Sequence, residues 1–208
     1  LFYGTRNSLM IAFSGMFIAA LTGTLMGVLA GLYRGVLDTI VSFLIDVKLS
    51  IPSLVIAIVC AAVFGSSKLI LVLIIGFTGY PTFARLARGQ TIQLNEANFI
   101  ECSRALGASK MRILFEHVLT NISSPLIVHA TMRFSSFVLL ESSLSFLGIG
   151  IQPPDVSLGL MVSAGRDYLI NSWWLSLVPS LIIVVIVLQV SLIGDWLRDL
   201  LDPKFKNA

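Results

Sequence analysis

The run Arg85–Asn121, RLARGQTIQLNEANFIECSRALGASKMRILFEHVLTN, decides how this chain is read. It is polar, basic and patterned for helices, and it sits in the middle of a chain that is otherwise apolar. A simple connector between two membrane spans needs only a few residues, so a stretch this long predicts a surface built for a partner in the aqueous phase. Asn95 is placed to cap a helix reaching Leu106, Gly107 suits the left-handed residue that ends it, and Ser109 can cap a second helix. Met111, Leu114, Phe115 and Val118 then share one side of that second helix. The expectation is two short helices at the membrane surface, joined by a tight glycine turn.

Outside that run the composition belongs to a bilayer. Mean hydropathy is +0.93, and only 12% of residues are charged, against about 25% in a soluble domain. The 208 residues make one membrane domain, 1–208. Cys60 and Cys102 offer no disulfide framework. The chain starts at Leu1 with no signal-peptide pattern, which suggests a piece of a longer protein.

A helix needs about 20 apolar residues to cross the hydrocarbon core. Five spans are expected by that measure. The first lies between Arg6 and Arg34, the second over Thr39–Phe64, and a short third over Leu69–Ala84. Ile122–Leu147 is the fourth, interrupted by Arg133 and Glu141, and Trp173–Ile193 the fifth, with Trp173, Trp174 and Trp196 as interfacial anchors. Five spans put Arg34, Arg85, Arg88, Arg104, Lys110, Arg112, Arg198, Lys204 and Lys206 on one side and only Arg6, Lys68 and Arg166 on the other. By the positive-inside rule the loop 85–121 and the C-terminus are cytoplasmic, while Leu1 and the loop 148–172 are outside. An outside start implies an earlier span. The first span repeats small residues every fourth position at Gly15, Ala19, Gly23, Gly27, Gly31 and Gly35, a ridge fit either for a subunit interface or for packing within one subunit.

Glu101-Cys102-Ser103-Arg104-Ala105-Leu106-Gly107 resembles the Glu-Ala-Ala, three residues, Gly motif of ABC importer permeases. Glu96-Ala97 is a decoy, because the glycine must follow the glutamate by six residues and position 102 is Cys. The resemblance runs on through Leu144–Pro154, Gly165-Arg166-Asp167-Tyr168, Gly194–Asp199 and Leu201-Asp202-Pro203, with Asp46 and Leu49–Pro52 before them. Together these are similar to the peptide/nickel branch, and most like the second ("C") permease of dipeptide and oligopeptide importers. The family's later Leu-Pro stands here as Leu119-Thr120.

The resemblance implies an all-α type I ABC importer permease in a bacterial or archaeal plasma membrane. It implies pairing with a second permease, two cytoplasmic ATPases that hold ATP and Mg, and an extracytoplasmic binding protein, with lipid around it and no nucleic acid. Peptides are the implied cargo, with nickel or a metal chelate as the alternative. Glu101, Cys102, Ser103, Ala105, Leu106 and Gly107 become the ATPase-coupling residues. Glu101 reads as mid-helix and as a charged contact to the ATPase or to the loop's own arginines. Small residues at 102 and 103 would let the helix sit deep in a partner cleft.

Ionisable groups within spans are functional hypotheses by default. His129, Arg133, Ser136 and Ser143 fall on one face of the fourth span, either lining a translocation path or holding helices together by hydrogen bonds. Glu141, well round the helix, is expected in a structural pair. Asp46 and Lys48 face different ways. Asp195, Arg198, Asp199 and Asp202 read as a self-paired helix end.

An enzyme is the first rival, but no Gly-Lys dipeptide exists to form a P-loop, and neither His-Glu-x-x-His nor Gly-x-Ser-x-Gly occurs. His117 and His129 are the only histidines, one in the loop and one in a span, and make no metal site together. A lone channel or secondary carrier would leave the two-helix loop unexplained. The chain is read as a transport subunit with no catalytic residues and no cofactor of its own.

Overall fold

The computed structural model describes residues 1–201, Lys110 by its backbone only. Within them the chain is helical, in the order α1 (Phe2–Tyr33), α2 (Gly35–Ser50), α3 (Ser53–Phe64), α4 (Lys68–Asn95), α5 (Asn98–Ala105), α6 (Lys110–Arg112), a π turn (Ile113–Val118), α7 (Leu119–Phe146), α8 (Leu158–Gly165), a 3₁₀ turn (Arg166–Tyr168), α9 (Leu169–Ser172) and α10 (Trp174–Leu201). The all-α membrane fold is as expected.

The spans differ in detail. Among the described residues α1, α4 and α10 are long and apolar enough to cross a membrane, and α2 with α3 makes a fourth span broken by a 91° bend. The expected single helix over Thr39–Phe64 therefore does not form. Ile51 takes extended backbone, as a residue before proline prefers, and α3 restarts behind Pro52. The helix expected as the fourth span, α7, has 28 residues, about 42 Å at 1.5 Å per residue. His129, Arg133, Glu141 and its many serines keep it from the same standard of apolarity. It lies against α1, α4, α8 and α10, where protein rather than lipid meets its polar groups.

The four-residue ridge of α1 packs on α4 within this chain, which decides between the two sequence readings. A Cβ on Gly15 would meet Ile75 at 2.5 Å, and one on Gly31 would meet Thr91 at 2.8 Å. Gly23 lies on the Tyr80 carbonyl and Gly27 on the Ala84 carbonyl. Gly35 is outside this contact, in a turn with φ +67°. The opposite face of α1 (Phe13, Phe17, Leu21, Leu25) is exposed apolar surface suited to lipid or another span.

The molecule has two polar rims. On one, Asn7 donates to the Val156 carbonyl (2.7 Å), the Leu158 N–H donates to Ser8 Oγ (3.2 Å) and Lys68 pairs with Asp155 (2.7 Å). On the other, Arg34 pairs with Glu96 (2.8 Å) and Arg88 with Asp38. The chain's start, the Lys68 turn and the 148–157 segment thus share one rim, and the Arg34 turn and the Glu96 loop share the other. The segment expected as a loop over 148–172 folds as α8, a 3₁₀ turn and α9, with α8 packed on α7 and α10.

Candidate functional site

The polar run is built differently from the two separate helices expected. Its first residues continue α4 to Asn95, because Gln, Leu and Arg are good helix formers once a helix is nucleated. Asn95 caps nothing. Its Nδ2 donates to the Gly31 carbonyl (3.1 Å) and its Oδ1 accepts from Arg104 Nη2 (2.9 Å). The short helix α5 starts at Asn98, so Glu101 sits in its first turn rather than mid-helix, where the helix dipole favours a carboxylate.

The end of α5 follows the sequence reading closely. Gly107 has φ +86°. Its N–H donates to the Arg104 carbonyl (2.9 Å) and the Ala108 N–H to the Ser103 carbonyl (3.0 Å), the paired bonds of a Schellman C-cap. Ser109 caps the next turn, its Oγ accepting from the Arg112 N–H (3.3 Å). That second segment is not free-standing: it runs through the π turn into α7. Leu119-Thr120 lets the helix continue. The π turn also undoes the expected apolar side. Ile113 and Val118, five apart, are buried, while Met111 and Phe115 are exposed, since an i→i+5 turn moves each later side chain round the axis.

α5 is seated by Ile100, fully buried against Val28, Ala87, Ile113, Val118 and Ile122. Ser103 turns inward, its Oγ 3.3 Å from His117 Nε2. Cys102, Ala105, Leu106 and Gly107 face outward, Leu106 at 89% exposure. The surface presented outward therefore has Cys102 and Ala105 as its small residues, not Cys102 and Ser103. Glu101 is exposed and makes no ion pair among the described residues.

The polar stripe of the fourth span divides. Arg133, Ser136 and Ser143 line a cavity of about 340 Å³ enclosed by the α2–α3 elbow, α4 and α7, together with Ser53, Thr78 and Thr82. Arg133 is exposed to it and makes no hydrogen bond or ion pair among the described residues. His129, one turn nearer the Glu96 rim, is not there. Its ring stands edge-on to Phe83 (4.9 Å, 86°), and it borders a second cavity with Asn121, Met132 and Arg198.

Two polar centres escaped the sequence reading. Lys48 is only 6% exposed; its Nζ donates to Ser53 Oγ (2.9 Å) and to the Thr78 carbonyl (2.5 Å). The signal was its place four residues before a proline inside an apolar run. Asp46 faces away and pairs with Arg85 (2.7 Å). Glu141, expected in an ion pair, is in none among the described residues. It is fully buried, and its Oε1 accepts from Ser145 Oγ (2.7 Å), with Ser8, Ser142 and Ser157 around it. Asp195, Arg198 and Asp199 likewise form no ion pairs among the described residues, and Asp202 lies outside those residues.

Residues 23–207 match the family described as "Binding-protein-dependent transport system inner membrane component". The chain is 39% identical over its full length to the Di/tripeptide transport system permease protein DppC of Pseudomonas aeruginosa, covering 69% of that protein. It is 38% identical to the Dipeptide transport system permease protein DppC of Alkalihalophilus pseudofirmus (99% of this chain, 67% of that one). It is also 39% identical to the Glutathione transport system permease protein GsiD of Escherichia coli (98% and 67%). An inward-facing structure of the MetNI methionine ABC transporter superposes with a TM-score of 0.76 at 23% identity, covering 97% of this chain and 96% of that one, a likeness of fold. This chain belongs to the binding-protein-dependent transport system inner membrane component family, in the branch of the peptide ABC transport permeases.

Proposed function

We propose that the chain is the permease subunit of an ATP-driven peptide importer and forms the translocation path with a second, related permease. Two cytoplasmic ATPase subunits, carrying ATP and Mg, dock on α5, and an extracytoplasmic binding protein delivers peptide to the rim that holds the 148–157 segment. The C-terminus then lies on the cytoplasmic side. The cargoes named for the relatives, di- and tripeptides and glutathione, favour peptide over nickel.

The observation that carries this reading is the way α5 is mounted. Its outer surface, Glu101, Cys102, Ala105, Leu106 and Gly107, is solvent-facing, and Phe99, Met111 and Phe115 add exposed apolar area beside it. Its inner surface is tied to three spans. Ile100 roots it in the cluster that joins α1, α4 and α7. The relay Arg104–Asn95–Gly31 fastens it to the end of α1. The segment after Gly107 is continuous with α7, whose Arg133, Ser136 and Ser143 wall the cavity. When the ATPases close, a push on α5 reaches that wall through the Gly107 turn, the π turn and α7.

The test is a complex of both permeases, the ATPases and the binding protein, reconstituted in proteoliposomes and supplied with a labelled dipeptide. Wild type is expected to show ATP-dependent uptake and ATPase stimulation by loaded binding protein. Gly107→Pro, which cannot take φ +86°, and Glu101→Lys are expected to lose both while still inserting in the membrane. Wild-type stimulation in both variants would sink the coupling role.

A further inference from the structure

The break in the second span brings together groups of one electrostatic sign. Pro52 ends the run of α2, and its carbonyl accepts from the N–H groups of Val55 and Ile56 (3.0 and 3.3 Å). The N–H groups of Ser53 and Leu54 have no backbone partner there, so the 12-residue α3 presents the positive end of its dipole. Ser53 and Leu54 both line the 340 Å³ cavity. Lys48 reaches its edge from behind, its Nζ held by Ser53 and Thr78, two lining residues. Arg133 lines the cavity from α7.

Depth makes this arrangement unusual. Thr78 is ten residues into α4, about 15 Å at 1.5 Å per residue, which is half of a hydrocarbon core about 30 Å thick. The acidic groups of these helices are engaged elsewhere: Asp46 with Arg85, Asp38 with Arg88, and Glu141 among serines. Arg133 lines this mid-membrane cavity and buried Lys48 stands behind its Ser53 and Thr78 wall, with no carboxylate among the lining residues, at a cost that membrane proteins accept where a pathway needs it.

We propose that Lys48, Arg133 and the start of α3 form a station that accepts the C-terminal carboxylate of a peptide in transit. The proposal rests on reading the chain as a peptide permease. Broken helices whose N-terminal halves face an anionic cargo group are a recurrent solution at the membrane midplane. The planar guanidinium of Arg133 takes both carboxylate oxygens, and the compact ammonium of Lys48 adds a second charge beside it. The hydroxyls of Ser136 and Ser143 line the same cavity and suit the peptide's amides.

The test reads the potential of the cavity directly. In the assembled complex, with Cys60→Ala and Cys102→Ser, Ser136→Cys is labelled with a thiosulfonate carrying either a sulfonate or a trimethylammonium group. The sulfonate reagent is expected to react faster. Arg133→Gln and Lys48→Gln are each expected to lower the sulfonate-to-ammonium rate ratio about tenfold or more, and Lys48→Arg to restore it. The dipeptide Ala-Phe should protect the thiol, whereas its C-terminal amide and chloride should not. An unchanged ratio in both glutamine variants, no labelling by either reagent, or equal protection by the amide or by chloride would overturn the station. If the ratios behave as expected but the reconstituted complex takes up no peptide, the anion site stands and the peptide cargo falls. If peptide is imported with the ratio unmoved, only the station falls.

Discussion

Gly27 and Gly89 give the same substitution opposite signs on neighbouring helices. A methyl group at Gly27 would land on the backbone of α4: on the Ala84 carbonyl oxygen, 3.0 Å from the Ala84 carbonyl carbon and 2.9 Å from the Arg88 nitrogen. None of these atoms can swing aside. Gly27→Ala must therefore push α1 off α4 along the ridge that Gly15, Ala19, Gly23 and Gly31 share, an overpacking cost of about 1–3 kcal/mol. Gly89 lies inside α4 with nothing within 4 Å of the added atom. It is 21 residues from the helix start, about 32 Å along the axis and so at or past the edge of the core. There Gly89→Ala removes only the backbone-entropy handicap of glycine in a helix, a gain of about 0.8–1 kcal/mol. The two variants are expected to differ by about 2–4 kcal/mol. Unfolding of the purified chain by SDS titration in mixed micelles, followed by tryptophan fluorescence, measures it. Gly27→Ala as stable as wild type, or shifted in the same direction as Gly89→Ala, would refute the close α1–α4 packing.

Arg104→Ala cuts the tie from α5 to Asn95 and Gly31; it is expected to reduce uptake per ATP hydrolysed while costing about 1–3 kcal/mol of stability for the lost hydrogen bond, measured as the coupling ratio in proteoliposomes. Ile170→Cys, at a position 97% exposed, is expected to react with an impermeant thiol reagent from outside, and Cys102 only from the cytoplasmic side. The reverse labelling would overturn the orientation of both rims.

What the sequence disclosed was what short-range chemistry dictates. The small-residue ridge needed only a four-residue period, and the Gly107 turn and Ser109 cap needed only local backbone preferences. The assignment of charged segments to two rims followed from where apolar runs stop. Hidden features came from elsewhere. Hydropathy ends a span at Ala84, yet α4 does not end there, because a helix leaving the membrane keeps its backbone bonds as long as no residue breaks them. The π turn at 113–118 has no sequence signature, and it brings Val118 round to the buried side of Ile113, away from the exposed Met111 and Phe115. Lys48 with Thr78, and Glu141 with Ser8, are contacts between residues far apart in the chain, set by how helices cross. No periodicity within one helix can report them. His129 is parted from the other stripe residues for the same reason: it packs on Phe83 of another helix and borders a different cavity.

The mounting of the helices limits where movement can occur. α4 cannot slide on α1 while glycines hold the two backbones in contact, and α5 is fixed to both by Ile100 and by the Arg104–Asn95–Gly31 relay. α1, α4 and α5 thus behave as one body. The breaks in helical hydrogen bonding lie around it: Arg34 at φ +48°, a setting other residues than glycine rarely adopt, the Pro52 elbow, Gly107 and the π turn. Two of them, Gly107 and the π turn, lie between α5 and α7. Another, at Pro52, lies between Lys48 in α2 and the start of α3. With α5 as the docking site proposed above, its displacement would be converted at these joints into a change in the distance between Arg133 and the Ser53–Thr78 wall behind which Lys48 is held. A carboxylate bridging the two basic groups would resist their separation, so cargo and nucleotide act on one coordinate, the width of that cavity.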